Sequence, residues 1–295
     1  MFVRSARYAF STFPSPLVSV QYLKQNLNKV KVLDCSWYLP QMNRNAELEY
    51  KKSHIPGAIR FDIDANSLQE TSLPHMLPKT EDFERSVSDM GISNKDQIVV
   101  YDGMNIFSAA RAYWQFRYFG HKDIAVLDGG FPAWVRENCA VSDAPPLIKE
   151  AKYKATPQVH MLRELDFILK NIENQNKGKR GDQVLDARPA PRFNGEVPEP
   201  RPGLSSGHMP YSTSLPFSQL IDQKTGLMKT PEEIKEILNS LNVDVNRNIV
   251  CSCGSGVTAS VIYVALERIG LKNISLYDGS WSEYAATKDV EIRKK

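Results

Sequence analysis

The chain has 295 residues, 42% of them hydrophobic and 24% charged, with a formal net charge of +3. That length suits about two domains of roughly 100–200 residues each, and so small a charge gives no reason to expect a nucleic-acid partner. No apolar run approaches the ~18–20 residues that span a bilayer, so no membrane anchorage is expected.

Residues 1–14 carry Arg4, Arg7, Ser5, Ser11 and Thr12 among several aromatics, and no acidic residue precedes Asp34. A short mitochondrial presequence and a plain cytosolic extension both fit this composition. The expected location is therefore cytoplasmic, mitochondrial or both. The four cysteines, Cys35, Cys139, Cys251 and Cys253, are sparse and unpatterned, which suits a reducing compartment.

The elements that follow occur twice. Val32-Leu33-Asp34 returns as Val184-Leu185-Asp186, and His54-Ile55-Pro56 as His208-Met209-Pro210. Thr80 before a helix returns as Thr230, Gly120 after a helix as Gly270, and Asp128-Gly129 as Asp278-Gly279. All five anchors keep their order at an offset of about 150 positions, which means two copies of one domain rather than a short-period solenoid.

Within each copy, short apolar strands alternate with helices. Gln97-Ile98-Val99-Val100-Tyr101 and Asn248-Ile249-Val250 are continuous and apolar, as buried parallel strands are. The linker is read at Ala144-Pro145-Pro146 through Thr156-Pro157. Leu162, Leu165, Ile168, Leu169 and Ile172 recur at helical spacing. Thr230-Pro231-Glu232-Glu233 combines an N-cap Thr, Pro at the first helical position and a capping-box Glu. Val261, Val264, Ala265 and Leu266 predict a helix that Gly270 ends. The fold class is α/β, with a mostly parallel sheet flanked by helices in each copy.

The chemistry concentrates at Cys251-Ser252-Cys253-Gly254-Ser255-Gly256-Val257-Thr258-Ala259, read as a strand end, a tight loop and a helix beginning near Ala259. Ligands of such sheets sit beyond the carboxyl ends of the strands. Backbone N–H groups at a helix N-terminus stabilise an anion and can lower a thiol pKa from ~8.5 to about 3.5–7.5. The same position in the first copy is Asp102, a carboxylate that cannot act as a thiolate. Cys253 is thus the expected nucleophile and the first copy a scaffold. Cys251 has no His or Cys cluster about it, so no metal site is expected. Cys35 falls in a strand and reads as core, whereas Cys139 follows the Trp134 helix and reads as more exposed.

Leu33-Asp34-Cys35-Ser36-Trp37-Tyr38-Leu39-Pro40, His54-Ile55-Pro56-Gly57-Ala58, Asp128-Gly129-Gly130 with Trp134, and Tyr277-Asp278-Gly279-Ser280-Trp281 together resemble the tandem rhodanese-domain sulfurtransferases. The resemblance covers about residues 16–285. It implies an N-terminal extension at 1–15, an inactive rhodanese-like domain at 16–143, a linker at 144–157 and a catalytic rhodanese-like domain at 158–290. Family members that prefer thiosulfate carry two cations in the loop. Here Gly254 and Ser255 replace them, and Cys253-Gly254-Ser255-Gly256-Val257-Thr258 resembles the loop of the members that use 3-mercaptopyruvate. Loss of two positive charges weakens binding of a compact dianion.

A monoanionic α-keto acid needs its carboxylate held apart from its sulfur. Arg192 and Arg201, in two Pro-rich loops, match the family's substrate-binding arginines, and a guanidinium fork suits planar oxygens. Arg188 is read as a pocket neighbour. Asp64, His75 and Ser255 match a proton-handling triad reaching across from the first domain. Gly254, Gly256, Val257 and Thr258 supply the loop N–H groups. His54 and His208 precede matching Pro turns and read as structural.

The resemblance implies a double displacement through a Cys253 persulfide, with no metal or organic cofactor. Pyruvate leaves, and the sulfur passes to thioredoxin, a small dithiol or cyanide, ultimately yielding hydrogen sulfide. A monomer or weak dimer is expected. Three other readings stand beside it. A cysteine phosphatase needs an Arg six positions after its Cys, where this chain has Ala259. A thiosulfate:cyanide sulfurtransferase would favour the cationic loop. A non-catalytic binding module would have lost part of the set that is intact here.

Overall fold

A computed structural model of the chain describes residues 12–295. Most of the basic segment read as a presequence or plain extension, residues 1–11, lies outside the described residues. Thr12 and Phe13 already belong to the folded body. The Thr12 N–H and hydroxyl donate to Asp123 Oδ1 at 2.7 and 3.0 Å, and buried Phe13 meets Tyr22 edge-on at 5.9 Å.

Each repeat builds a five-stranded sheet. In the first, β1 (Leu17–Val18), β2 (Lys31–Asp34), β3 (Ile59–Arg60), β4 (Ile98–Tyr101) and β5 (Ile124–Leu127) lie in the order β1-β5-β4-β2-β3. In the second, β6 (Leu162–Arg163), β7 (Gln183–Asp186), β8 (Ser212–Ser214), β9 (Ile249–Ser252) and β10 (Ile274–Tyr277) lie in the order β6-β10-β9-β7-β8. Every pairing within these sheets is parallel, and the second topology repeats the first strand for strand. Central β4 and β9 are buried along their whole length, as expected of strands covered by helices on both faces.

The expected start at Thr230 forms a complete capping box ahead of Pro231–Ser240. Two details differ from expectation. Leu162 belongs to edge strand β6 and pairs with Leu276, so the helix begins only at Leu165. Its apolar spacing matched a helix because one strand residue happens to stand in register with the helix face that follows. Thr80 is the first residue of its helix rather than a cap, and Lys79 occupies the cap position. The connection between the domains is no loose tether. Tyr153 and Ala155 are buried on the first domain, with the Tyr153 ring 5.8 Å from Phe83 and 5.7 Å from His121.

The domains share one core. The helices Ser108–Tyr118 and Ala259–Arg268 pack together, setting small Ala109 and Ala112 into the same apolar cluster as Val261 and Ala265. Tyr113 and Arg117 then reach across to the Glu267 carboxylate at 2.7 and 2.9 Å. The contact is nearly two-fold. The Leu77 N–H donates to Asp278 Oδ2 at 2.7 Å, and its repeat counterpart, the Met228 N–H, donates to Asp128 Oδ1 at 2.8 Å.

His121 gives the fold a pH dependence. His121 is 2% exposed, Nε2 donates to the Asp96 carbonyl at 3.0 Å, and among the described residues Nδ1 has no hydrogen-bond partner. Burial lowers its pKa below the ordinary 6.5. The unfolded chain therefore takes up this proton at a higher pH than the folded one. The associated stability is complete above about pH 6.5 and is lost as pH falls toward the folded-state value. Melting temperatures of the wild type should drop between pH 7.5 and 5.5 more steeply than those of His121→Gln. Equal slopes would contradict this assignment.

Candidate active site

Cys253 follows the last residue of β9 and is 2% exposed. Its N–H donates to Ser280 Oγ at 3.2 Å, and its carbonyl accepts from the Trp281 N–H at 3.0 Å. The Gly254 carbonyl accepts from the N–H and hydroxyl of Ser282 at 3.0 and 2.6 Å. These bonds tie the first two loop carbonyls to the short helix Ser280–Tyr284 that follows β10. Among the described residues, the N–H groups of Gly254, Ser255, Gly256, Val257 and Thr258 donate to nothing. Gly256 has φ +78°, a conformation that favours glycine.

The first domain shows what such a loop accepts. The Asp102 carbonyl receives the Phe131 N–H at 2.9 Å, matching the Cys253–Trp281 bond. Asp102 Oδ1 then accepts from the Met104 N–H at 2.7 Å, and Oδ2 from the Phe107 and Ala109 N–H groups at 2.7 and 2.9 Å. The inactive loop is thus closed around its own carboxylate. Burial raises the Asp102 pKa, and the three N–H groups oppose that rise.

The first domain also delivers His75. Its ring is buried, with Nδ1 3.0 Å from Ser255 Oγ and Nε2 3.0 Å from Asp64 Oδ1. A carboxylate can only accept, so Nε2 carries a proton, and in the neutral ring Nδ1 then accepts from the Ser255 hydroxyl. Trp37 supports this arrangement. Its indole N–H donates to Asp64 Oδ2 at 2.8 Å, and its ring meets His75 edge-on at 4.9 Å. Burial raises the Asp64 pKa, but hydrogen bonds from His75 and Trp37 outweigh it and hold the carboxyl below its ordinary value.

Arg201 Nη2 donates to the same Ser255 Oγ at 3.4 Å. Burial lowers its pKa, and the nearby Arg192 charge acts in the same direction. Arg192, on the short helix Ala190–Asn194, is held by Glu199: its Nε lies 3.2 Å from Oε2, and Nη2 also pairs with that oxygen. Both guanidinium groups flank Gly254. A β-carbon there would lie 3.2 Å from Arg192 Nη2 and 3.9 Å from Arg201 Nη1. Glycine at 254 therefore gives Arg192 room beside the thiol loop, besides removing a charge.

The structure thus brings Cys253, Ser255, His75, Asp64, Arg192 and Arg201 to one place with the loop residues Gly254, Gly256, Val257 and Thr258. Arg188, read as a pocket neighbour, stands behind the site and shares Glu199 with Arg192. It is 1% exposed, forks onto Asp186, donates to Glu199 and the Gly207 carbonyl at 2.9 and 2.8 Å, and stacks 4.2 Å from the Trp281 ring. Its bidentate partner two residues away leaves it no free edge. Sequence reasoning missed Trp37, Glu199 and Ser280. A carboxylate between prolines and between two arginines was the available signal for Glu199.

Both halves of the chain, residues 19–137 and 169–287, match the model of the rhodanese-like domain. The chain belongs to the tandem rhodanese-like sulfurtransferases. It is 40% identical over 300 residues to the thiosulfate/3-mercaptopyruvate sulfurtransferase 1, mitochondrial, of Arabidopsis thaliana, covering 94% of this chain and 78% of that protein. It is 38% identical over 276 residues to the 3-mercaptopyruvate sulfurtransferase of Mus musculus, covering 91% of each. The crystal structure of SseA from Escherichia coli, described as a 3-mercaptopyruvate sulfotransferase, superposes with a TM-score of 0.81 at 33% identity, covering 90% of this chain and 99% of that one. The chain is accordingly a sulfurtransferase, and among the described residues no helix is long and apolar enough to cross a membrane.

Proposed function

We propose that the chain moves sulfur from 3-mercaptopyruvate to a thiol acceptor through a persulfide on Cys253. The observation that carries this reading is the unpartnered loop beside two guanidinium groups. The donor carboxylate and keto oxygen lie against Arg192 and Arg201, which sets its C3 sulfur toward Cys253. The Cys253 thiolate attacks that sulfur, and the carbon–sulfur bond breaks with its electron pair passing to C3. The resulting pyruvate enolate is protonated, with Ser255 and His75 relaying the proton. Asp64 holds the histidine tautomer that this relay requires.

A persulfide places its outer sulfur one bond beyond Sγ, the same number of bonds from the backbone as a carboxylate oxygen of Asp102. The repeat counterparts of the Met104 and Phe107 N–H groups are those of Ser255 and Thr258, and both are unpartnered. They would take the persulfide anion as their counterparts take the carboxylate. A dithiol or thioredoxin then attacks the outer sulfur, releasing hydrogen sulfide once the second thiol closes a disulfide; cyanide takes the sulfur as thiocyanate. No metal or organic cofactor enters these steps. The protein acts as a monomer or weak dimer in a reducing compartment, cytoplasmic, mitochondrial or both. Its four unpaired cysteines support that placement.

Thiosulfate is the second donor reading, favoured by the two adjacent cations and by the double name of the Arabidopsis relative. Initial rates with each donor, using a small dithiol as acceptor, separate them. The kcat/KM for 3-mercaptopyruvate should exceed that for thiosulfate by at least about 10-fold, the value of one 1.4 kcal/mol discrimination. Faster turnover of thiosulfate would reverse the assignment.

A further inference from the structure

The two domains present matching turns to each other, and the turns differ at their left-handed residue. On the inactive side the turn is built on Gly226, at φ +70°, packed against Asn105. Its counterpart on the active side is His75, at φ +61°, a left-handed conformation that a residue with a side chain rarely adopts. The two turns share the left-handed backbone, with an imidazole on the active side where the inactive side has glycine.

A second difference accompanies the first. Arg111 is 1% exposed, on the helix Ser108–Tyr118 in a stretch whose residues are otherwise apolar or neutral and buried. The corresponding residue of the second domain is Ile262. Arg111 Nη1 pairs with Asp278 Oδ1 at 2.7 Å, and both side chains are almost fully enclosed. This buried pair grips the active-side turn at two points. Arg111 Nη2 donates to the His75 carbonyl, and Asp278 Oδ2 accepts from the Leu77 N–H at 2.7 Å. Opposite the turn, a β-carbon at Gly256 would stand 2.7 Å from Arg111 Nη1 and 3.2 Å from the Asp278 carbonyl. The same ion pair therefore abuts both the His75 turn and the loop that carries Ser255.

We infer that Arg111, through its pair with Asp278, is a positioning residue that fixes the His75 imidazole on Ser255 across the domain interface. The inference rests on the reading of His75 and Ser255 as proton relay to the Cys253 reaction. The pair touches neither Arg192 nor Arg201, so its loss should leave donor binding in place and impair the chemical step. A lone interdomain strut would instead lower stability without singling out kcat.

The test is a double-mutant cycle on turnover of 3-mercaptopyruvate with Arg111→Met, His75→Ala and the two combined. Arg111→Met should lower kcat by about 10- to 100-fold, the effect of a misplacement near 1 Å, with donor KM changed less than about 3-fold. The combined variant should be no slower than the slower single one, because Arg111 acts through His75. Losses that multiply, or a wild-type kcat in Arg111→Met beside an impaired His75→Ala, would overturn the inference and leave the relay intact. A wild-type kcat in His75→Ala would instead overturn the relay, and the inference with it. If Arg111→Met does not fold, Arg111→Lys carries the same comparison, keeping the charge while losing the fork.

Discussion

Wild-type protein incubated with 3-mercaptopyruvate and no acceptor is expected to gain the mass of one sulfur on the peptide containing Cys253, and Cys253→Ser is expected to gain none. The same substitution should lower turnover by at least about 10³-fold, as removal of a nucleophile does. The structure separates Cys253 from the other thiols on physical grounds. Cys251 lies two residues earlier within β9, where burial raises its pKa, and burial raises that of Cys35 too. Neither can supply a thiolate near neutrality. Cys139 is partly exposed and packs against the first domain's core, and its thiol donates to the Glu137 carbonyl at 3.9 Å, with no cation or helix N-terminus shown beside it among the described residues. Addition of a dithiol or cyanide should return the mass to its starting value. Sulfur found on Cys139, or retained by Cys253→Ser, would remove Cys253 from the mechanism.

The contrast between Cys253 and Asp102 was legible in the sequence because a repeat aligns residues without a structure. The chemical content of Asp102 was not. Read alone, it is a lost nucleophile; in the fold it is a built-in anion that satisfies three N–H groups. The central strands and the helix at Ala259 followed from apolar periodicity and loop composition, which are local signals, whereas strand order, set by pairing between distant segments, did not. Leu162 was misread because an edge strand of two residues is too short to show its own period.

The pairing of His75 with Ser255 was of another kind. These residues are far apart in sequence, and only the resemblance brought them together. Arg111, Asp278 and Trp37 escaped because each works by long-range contact. A buried arginine looks like any arginine until its carboxylate partner is found on the other domain. One clue existed: Arg111 interrupts Ala109-Ala110 and Ala112-Tyr113-Trp114, a stretch otherwise fit for a domain interface. Desolvating a charge there is costly unless it is paired, so its presence signals an acidic partner.

Replacement of Arg192 or Arg201 by Met is the second large effect expected, and the two should fail differently. Arg192 holds Glu199 along its Nε–Nη2 edge and lies beside Gly254, away from Ser255. The proposed function gives it a binding role only, so Arg192→Met should raise the KM for 3-mercaptopyruvate by about 10- to 100-fold, the worth of a hydrogen bond to a charged group, with kcat nearly kept. Arg201 also donates to Ser255 Oγ, the oxygen that in the proposed relay hands its proton to His75. A cation beside that oxygen stabilises the charge it gains when the proton moves, so Arg201→Met should raise KM by a similar factor and lower kcat as well. Lys at position 192 restores charge without the planar fork and should recover only part of the affinity. Glu199→Gln offers an independent check. It removes the buried carboxylate that orients Arg192, and should raise KM in the wild type yet change little once Arg192 is Met. Steady-state kinetics over a range of donor concentrations reads all of these. An unchanged KM in the Arg192→Met/Arg201→Met protein would show that the donor is held elsewhere, and a full kcat in Arg201→Met would separate Arg201 from the proton relay.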